Sequence, residues 1–185
     1  MKRIKLLKAA VIVLTLVFAA TSIAYADPST VQFDDIESSW AKQHIINVYN
    51  KGYMGGVSDK KFNPTEEIKQ YDVLVSISRM IIANSEDSIN LGQLVERYKD
   101  SVLDKFKVPD YAREGIALCL DKNIISDSDI GIIDLRPYAD KKDVSKYLGK
   151  ALGFTPKEND VPFSLSFMDT LLIPTVYRPY VGFLV

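Results

Sequence analysis

Cysteine and histidine are almost missing: Cys119 and His44 each occur once in 185 residues. One thiol excludes an intramolecular disulfide, and Cys–His catalysis would have to join these two residues. Cys119 lies in the apolar run Ile116-Ala117-Leu118-Cys119-Leu120, which reads as a small buried side chain rather than a reactive thiol. A zinc site needs about four ligands, and no spacing supplies companions for His44. Acidic stretches such as Glu86-Asp87 lack the loop pattern of a calcium site. Glycine and proline are also scarce, at nine and eight residues, which argues against a disordered stalk. The sequence shows no nucleophile elbow and no paired-carboxylate frame. The expectation is therefore a protein that is not an enzyme and needs no cofactor and no metal.

The first residues point to export. Lys2, Arg3, Lys5 and Lys8 precede an uncharged, mostly apolar run from Ala9 to Ala26, which closes on Ala24-Tyr25-Ala26. A basic segment, a short apolar segment and an A-x-A site make a secretory signal peptide over residues 1–26. Thr21, Ser22 and Tyr25 dilute the apolar run, so cleavage after Ala26 is favoured over a retained anchor. No membrane contact is then expected of the mature chain. Four of the 23 basic residues lie in the leader, leaving 19 against 24 acidic groups, a net charge of −5. Bulk charge of that sign does not attract nucleic acid, and an anionic polymer would have to be held by a local basic pocket. The mature chain of about 160 residues is long enough for one domain with a real core.

Self-similarity is the strongest signal. Trp40-Ala41-Lys42-Gln43-His44-Ile45 lies over Tyr111-Ala112-Arg113-Glu114-Gly115-Ile116, with aromatic on aromatic, Ala on Ala, base on base and Ile on Ile. Ala41, Ile45, Val48 and Tyr49 recur at helical spacing, as do Ala112, Ile116, Cys119 and Leu120. Gly52 and Asn123, which tolerate left-handed backbone, should end these helices. A loop from Gly55 to Pro64 then leads to a second helix, expected from Thr65 as its cap, with Val73, Ile77, Met80 and Ile81 inward. In the second unit Leu135-Arg136-Pro137-Tyr138 takes the place of Phe62-Asn63-Pro64, and Val144, Tyr147, Leu148, Ala151 and Leu152 form the matching face. Phe33-Asp34-Asp35, Tyr98-Lys99-Asp100 and Phe167-Met168-Asp169 precede the three first helices. Ile173-Pro174 echoes Val108-Pro109, a helix should start at Arg178-Pro179-Tyr180, and Val176 takes the place of Trp40. An all-α domain is expected, with units at 27–86, 87–153 and 154–185, the last incomplete. Its core should include Ala41, Ile45, Val48, Ile77, Ile116, Cys119, Leu148 and Leu152.

Phe33-Asp34-Asp35-Ile36, Trp40-Ala41, Gly52-Tyr53-Met54, Gly56, Asp59, Phe62 and Pro64 resemble the S-layer homology signature in identity and spacing. The resemblance implies three helix–loop–helix repeats packed as a pseudo-threefold prism. It also implies grooves that hold pyruvylated sugars of a secondary cell-wall polymer, anchoring an exported protein noncovalently to the bacterial wall or S-layer. The sequence departs from the family where the second helix usually opens Ile-Thr-Arg-Ala-Glu. The first unit reads Ile68-Lys69-Gln70-Tyr71-Asp72, with Gln70 in place of the arginine, and the second has Lys141 there. A lysine keeps the charge but loses the planar fork that grips a carboxylate. Asp59-Lys60 replaces an Asp-Gly, putting a side chain where glycine usually allows positive φ.

Candidate glycan-binding residues are Asp35, Trp40, Gly56, Asp100, Tyr111, Lys141 and Asp169. Trp40 suits both a sugar-stacking platform and a core position. Asp35 and Asp100 suit either sugar hydroxyls or helix caps and turns. Gly56 is more readily a backbone requirement than a ligand contact. Lys141 is either the partner of a pyruvyl carboxylate or a solvated surface lysine. Other readings are the targeting end of a truncated exported hydrolase, and a degenerate repeat protein that has lost sugar binding. The incomplete third unit also raises self-association through its uncovered face.

Overall fold

A computed structural model describes residues 33–157, Leu165, Phe167 and 170–185. The leader and Asp169 lie outside the described residues. Seven α-helices carry the fold, with no strand among the described residues: α1 Lys42–Asn50, α2 Gln70–Ala83, α3 Leu91–Tyr98, α4 Arg113–Asp121, α5 Asp127–Leu135, α6 Lys141–Ala151 and α7 Arg178–Phe183. Among the described residues no helix is long and apolar enough to cross a membrane.

The core is built around α4. Gly115 through Leu120 are all buried, so this helix is apolar on every side and needs neighbours all round. The neighbours are α2, which contributes Val73, Leu74 and Ile77, and α3, which contributes Leu94. Ile124, Ile125, Ile130 and Ile133 close the cluster from the following segment and α5. Cys119 is fully buried, and desolvation pushes its thiol up to about 12; it is packing material, not a nucleophile. Phe33, Ile36 and Ile45 are also buried but do not belong to the main core cluster. Of the expected core residues, Ile45, Ile77, Ile116 and Cys119 are buried, and Ala41, Val48 and Leu148 are half-buried. Leu152 is 58% exposed, because α6 has ended at Ala151 and the chain is turning away.

The two halves of the sequence repeat show the same turns. Gly52 has φ +70° and Asn123 φ +56°, and each ends its helix. The amides of Tyr53 and Ile124 reach back five residues to the carbonyls of Val48 and Cys119, at 2.9 and 2.8 Å. This is the helix-terminating pattern that positive φ permits. The first helices also open alike in the later units. Pro109 (φ −55°, ψ 141°) and Pro174 (φ −56°, ψ 140°) each lead through a 3-10 turn into α4 and α7.

Three sequence expectations are corrected. The second helix of the first unit starts at Gln70, not Thr65. Lys69 is extended (φ −73°, ψ 148°), and its flanks pair antiparallel with the segment before α6. The Gln70 amide donates to the Pro137 carbonyl at 2.7 Å, and the Ala139 amide to the Ile68 carbonyl at 2.9 Å. A helix through these residues would forfeit both bonds. The loop of the second unit contains a helix, α5, whose start is a capping box formed by Ser126 and Asp129. Lys60 is not among the residues with positive φ; in that loop Asn63 takes the strain, at φ +56°.

Candidate functional site

The loop after α1 is held from three directions. Phe33 packs edge-on to Tyr49 at 5.1 Å and against Phe62 at 5.6 Å. The Asp35 carboxylate accepts from the Phe62 amide at 3.0 Å and from the Asn63 amide at 2.8 Å. Ser58 and Lys61 pair their backbones across the tip. Gly56 threads between these constraints. A Cβ there would lie 2.4 Å from the Phe33 ring and 2.5 Å from the Lys61 carbonyl oxygen.

Fixed in this way, the loop forms one wall of a groove of about 720 Å³, within the usual range for small-molecule sites. The facing wall is a stripe along α2 made by Asp72, Val75, Ser76 and Arg79, three to four residues apart as one helix face requires. Tyr111, from the turn before α4, and Tyr138, from the segment before α6, complete the groove. The first unit thus supplies the floor and walls, and the second adds two aromatic rings. The charged lining residues are Glu66, Glu67, Asp72, Lys69 and Arg79, and none is in an ion pair among the described residues. Tyr111 is raised to about 12, first by desolvation and then by its hydrogen bond to the Asp72 carboxylate. At neutral pH it is a neutral phenol with an exposed ring face. No group of three or more His, Cys, Asp or Glu is placed to hold a metal among the described residues.

The sequence candidates are dispersed. Gly56 and Tyr111 line the groove. Asp35 stands behind its wall and holds the loop across 27 residues of chain, rather than capping a helix. Trp40 is 91% exposed, with its ring 6.4 Å from that of His44; it is surface, not core. Val176, which the sequence aligns with Trp40, is exposed as well. Asp100 is exposed in a π-helical turn, Lys99–Leu103, that continues α3. Lys141 is the exposed first residue of α6, away from the groove lining. Gln70, its counterpart at the first position of α2, is buried and bonded to protein. Arg79, Asp72 and Tyr138 escaped the sequence reading. For Asp72 and Arg79 the signal existed, since they fall seven apart on the polar face opposite Val73 and Ile77.

The Asp35 clamp gives a pH prediction. The Phe62 amide, followed by that of Asn63, holds this carboxyl below its usual value, against the opposing effect of desolvation. A depressed folded-state value stabilises above the unfolded value, about 3.9 for Asp, and that contribution is lost as pH falls through the folded value. Asp35→Asn should therefore be less stable than the parent above about pH 5, and the difference should shrink as pH falls through the lowered folded-state value. Urea midpoints measured across that range check this; parallel curves would assign the acid sensitivity elsewhere.

Helix–loop–helix units that expose an inter-unit groove form a class of repeat-built binding module. Residues 32–70 match the model of the S-layer homology domain, so the protein carries an S-layer homology domain over that segment. The match takes in α1, the clamped loop and the first residue of α2; the likeness of the later units rests on their turns. The domain associates the chain with the cell surface as a wall-anchored protein. Comparison with curated proteins gives no match, and comparison with solved structures gives none.

Proposed function

We propose that the protein is exported and binds, without covalent chemistry, to an acidic secondary polymer of the bacterial cell wall, acting as an anchor and not as an enzyme. The groove between the first two units is the observation that carries this reading. Tyr111 and Tyr138 offer ring faces to the C–H faces of sugar rings. Asp72, Ser76 and the loop backbone offer hydrogen-bond partners for hydroxyls, in a space of about 720 Å³. Family membership over residues 32–70 supports the same reading.

The test is retention of the purified chain on wall sacculi before and after removal of the secondary polymer. Retention on intact sacculi and its loss on stripped ones is expected; equal retention on both would transfer binding to peptidoglycan itself. A second reading, a repeat fold that has lost sugar binding, is favoured by Gln70, whose side chain is committed to protein contacts. Absence of retention on either preparation would select it.

A further inference from the structure

We infer that Arg79 is the residue that reads an acidic group on the bound glycan, giving the groove a direction. The carboxylate of the sugar lies toward the C-terminal end of α2, and the neutral part lies between Tyr111 and Tyr138. This rests on the groove being a glycan site.

The first position of α2 is closed to such a role. Gln70 is 1% exposed, and both ends of its amide are engaged by Arg136 and Tyr147. The positive groups left in the groove are Lys69 and Arg79. Lys69 immediately precedes α2, on the segment that also carries Glu66 and Glu67, with Asp72 nearly a full turn further on. Its charge stands on the acidic end of the groove lining, with three carboxylates close by in sequence. Arg79 lies seven residues beyond Asp72, about 10 Å along the helix at 1.5 Å per residue. That exceeds the roughly 8 Å screening length at physiological salt, so the carboxylates of the other end do not cancel it.

The surroundings of Arg79 fit a ligand. Asn84 donates to the Tyr53 hydroxyl at 2.9 Å, which fixes Met54, Gly55 and Gly56 beside the C-terminal half of α2. A Cβ at Gly55 would meet nothing within 4 Å, so there is open space along that wall. Arg79 is exposed and in no ion pair among the described residues. Its planar fork is thus available for two parallel hydrogen bonds to one carboxylate.

The test uses the full chain and two probes: secondary polymer released from sacculi, and the same polymer after chemical reduction of its carboxyl groups. The parent should bind the native polymer about tenfold more tightly than the reduced one, the lower end of what a charge-assisted contact contributes. Arg79→Gln should lose that discrimination, weakening on native polymer to the level of the reduced one, while its binding of reduced polymer stays within about twofold of the parent. Lys69→Gln and Lys141→Gln should keep the discrimination. Superposable thermal melts would show that Arg79→Gln is folded, as its exposed position predicts. Discrimination that survives Arg79→Gln, or a parent that binds both polymers equally, overturns the role of Arg79 and leaves the groove as a glycan site. A parent that binds neither polymer overturns both.

Discussion

Gln70→Ala is expected to destabilise the protein by about 2–5 kcal/mol. The side chain sits in the seam between the first two units, 1% exposed. Its amide nitrogen donates to the Arg136 carbonyl at 2.5 Å, and its amide oxygen accepts from the Tyr147 hydroxyl at 2.7 Å. Tyr147 is itself buried, and desolvation raises its phenol further. Alanine would leave a carbonyl and a hydroxyl without partners in a site that water does not reach. Each orphaned group costs about 1–3 kcal/mol, and the emptied volume adds to that. Against a total stability of about 5–15 kcal/mol, a loss of that size is readily seen in a urea titration. Gln70→Leu refills the volume but not the bonds and should recover only part of the loss. A change below about 0.5 kcal/mol in the alanine variant would mean that solvent replaces the amide.

From the sequence, Gln70 reads as a neutral substitute where the family has an arginine, so that Gln70→Ala should change wall binding little; its effect on stability is not legible there. That expectation treats the residue as surface. Its burial depends on Pro137 and Tyr138 coming alongside Lys69, some seventy residues away in the chain. Pairing at that separation leaves no local pattern, and it also explains why the start of α2 could not be placed. By local chemistry Thr65 is the better cap, and the tertiary pairing of Lys69 with Tyr138 overrides it. The same limit hid the groove, since Tyr138 joins Asp72 in its lining only once that seam has formed.

Local periodicity was enough elsewhere. The apolar stripes of α1 and α4 and the terminators Gly52 and Asn123 were legible, because helix faces and left-handed turns are set within a few residues. Helix α5 is equally local, through the pair Ser126 and Asp129, but it has no counterpart in the loop of the first unit, so the repeat itself does not signal it. Asp35 shows a third case. Its position ahead of a helix suggested a cap, but its partners are amides at Phe62 and Asn63. The residue type signalled an N–H acceptor without saying which amides it would accept from.

Gly56→Ala should unfold the first unit locally while leaving the rest of the molecule intact. The added methyl carbon would fall 2.4 Å from Cε1 of Phe33, 2.5 Å from the Lys61 carbonyl oxygen and 2.8 Å from the Ser58 carbonyl oxygen. None of these can retreat cheaply. The two oxygens belong to the paired backbone at the loop tip, and the Phe33 ring is wedged between Tyr49 and Phe62. Overpacking of this kind typically costs about 1–3 kcal/mol. The damage should stay local because Phe33, Ile36 and Ile45, although buried, are not part of the main core around α4. These three side chains offer little to offset the strain, whereas α2, α3 and α4 retain all their mutual contacts. Hydrogen exchange should therefore speed up across residues 33–64 and remain unchanged in α4. Since those residues form one wall of the groove, retention on wall polymer should fall in the same variant. Unaltered protection of residues 33–64 would show that the loop can shift to admit the methyl group, and Gly56 would then owe its place to something other than packing.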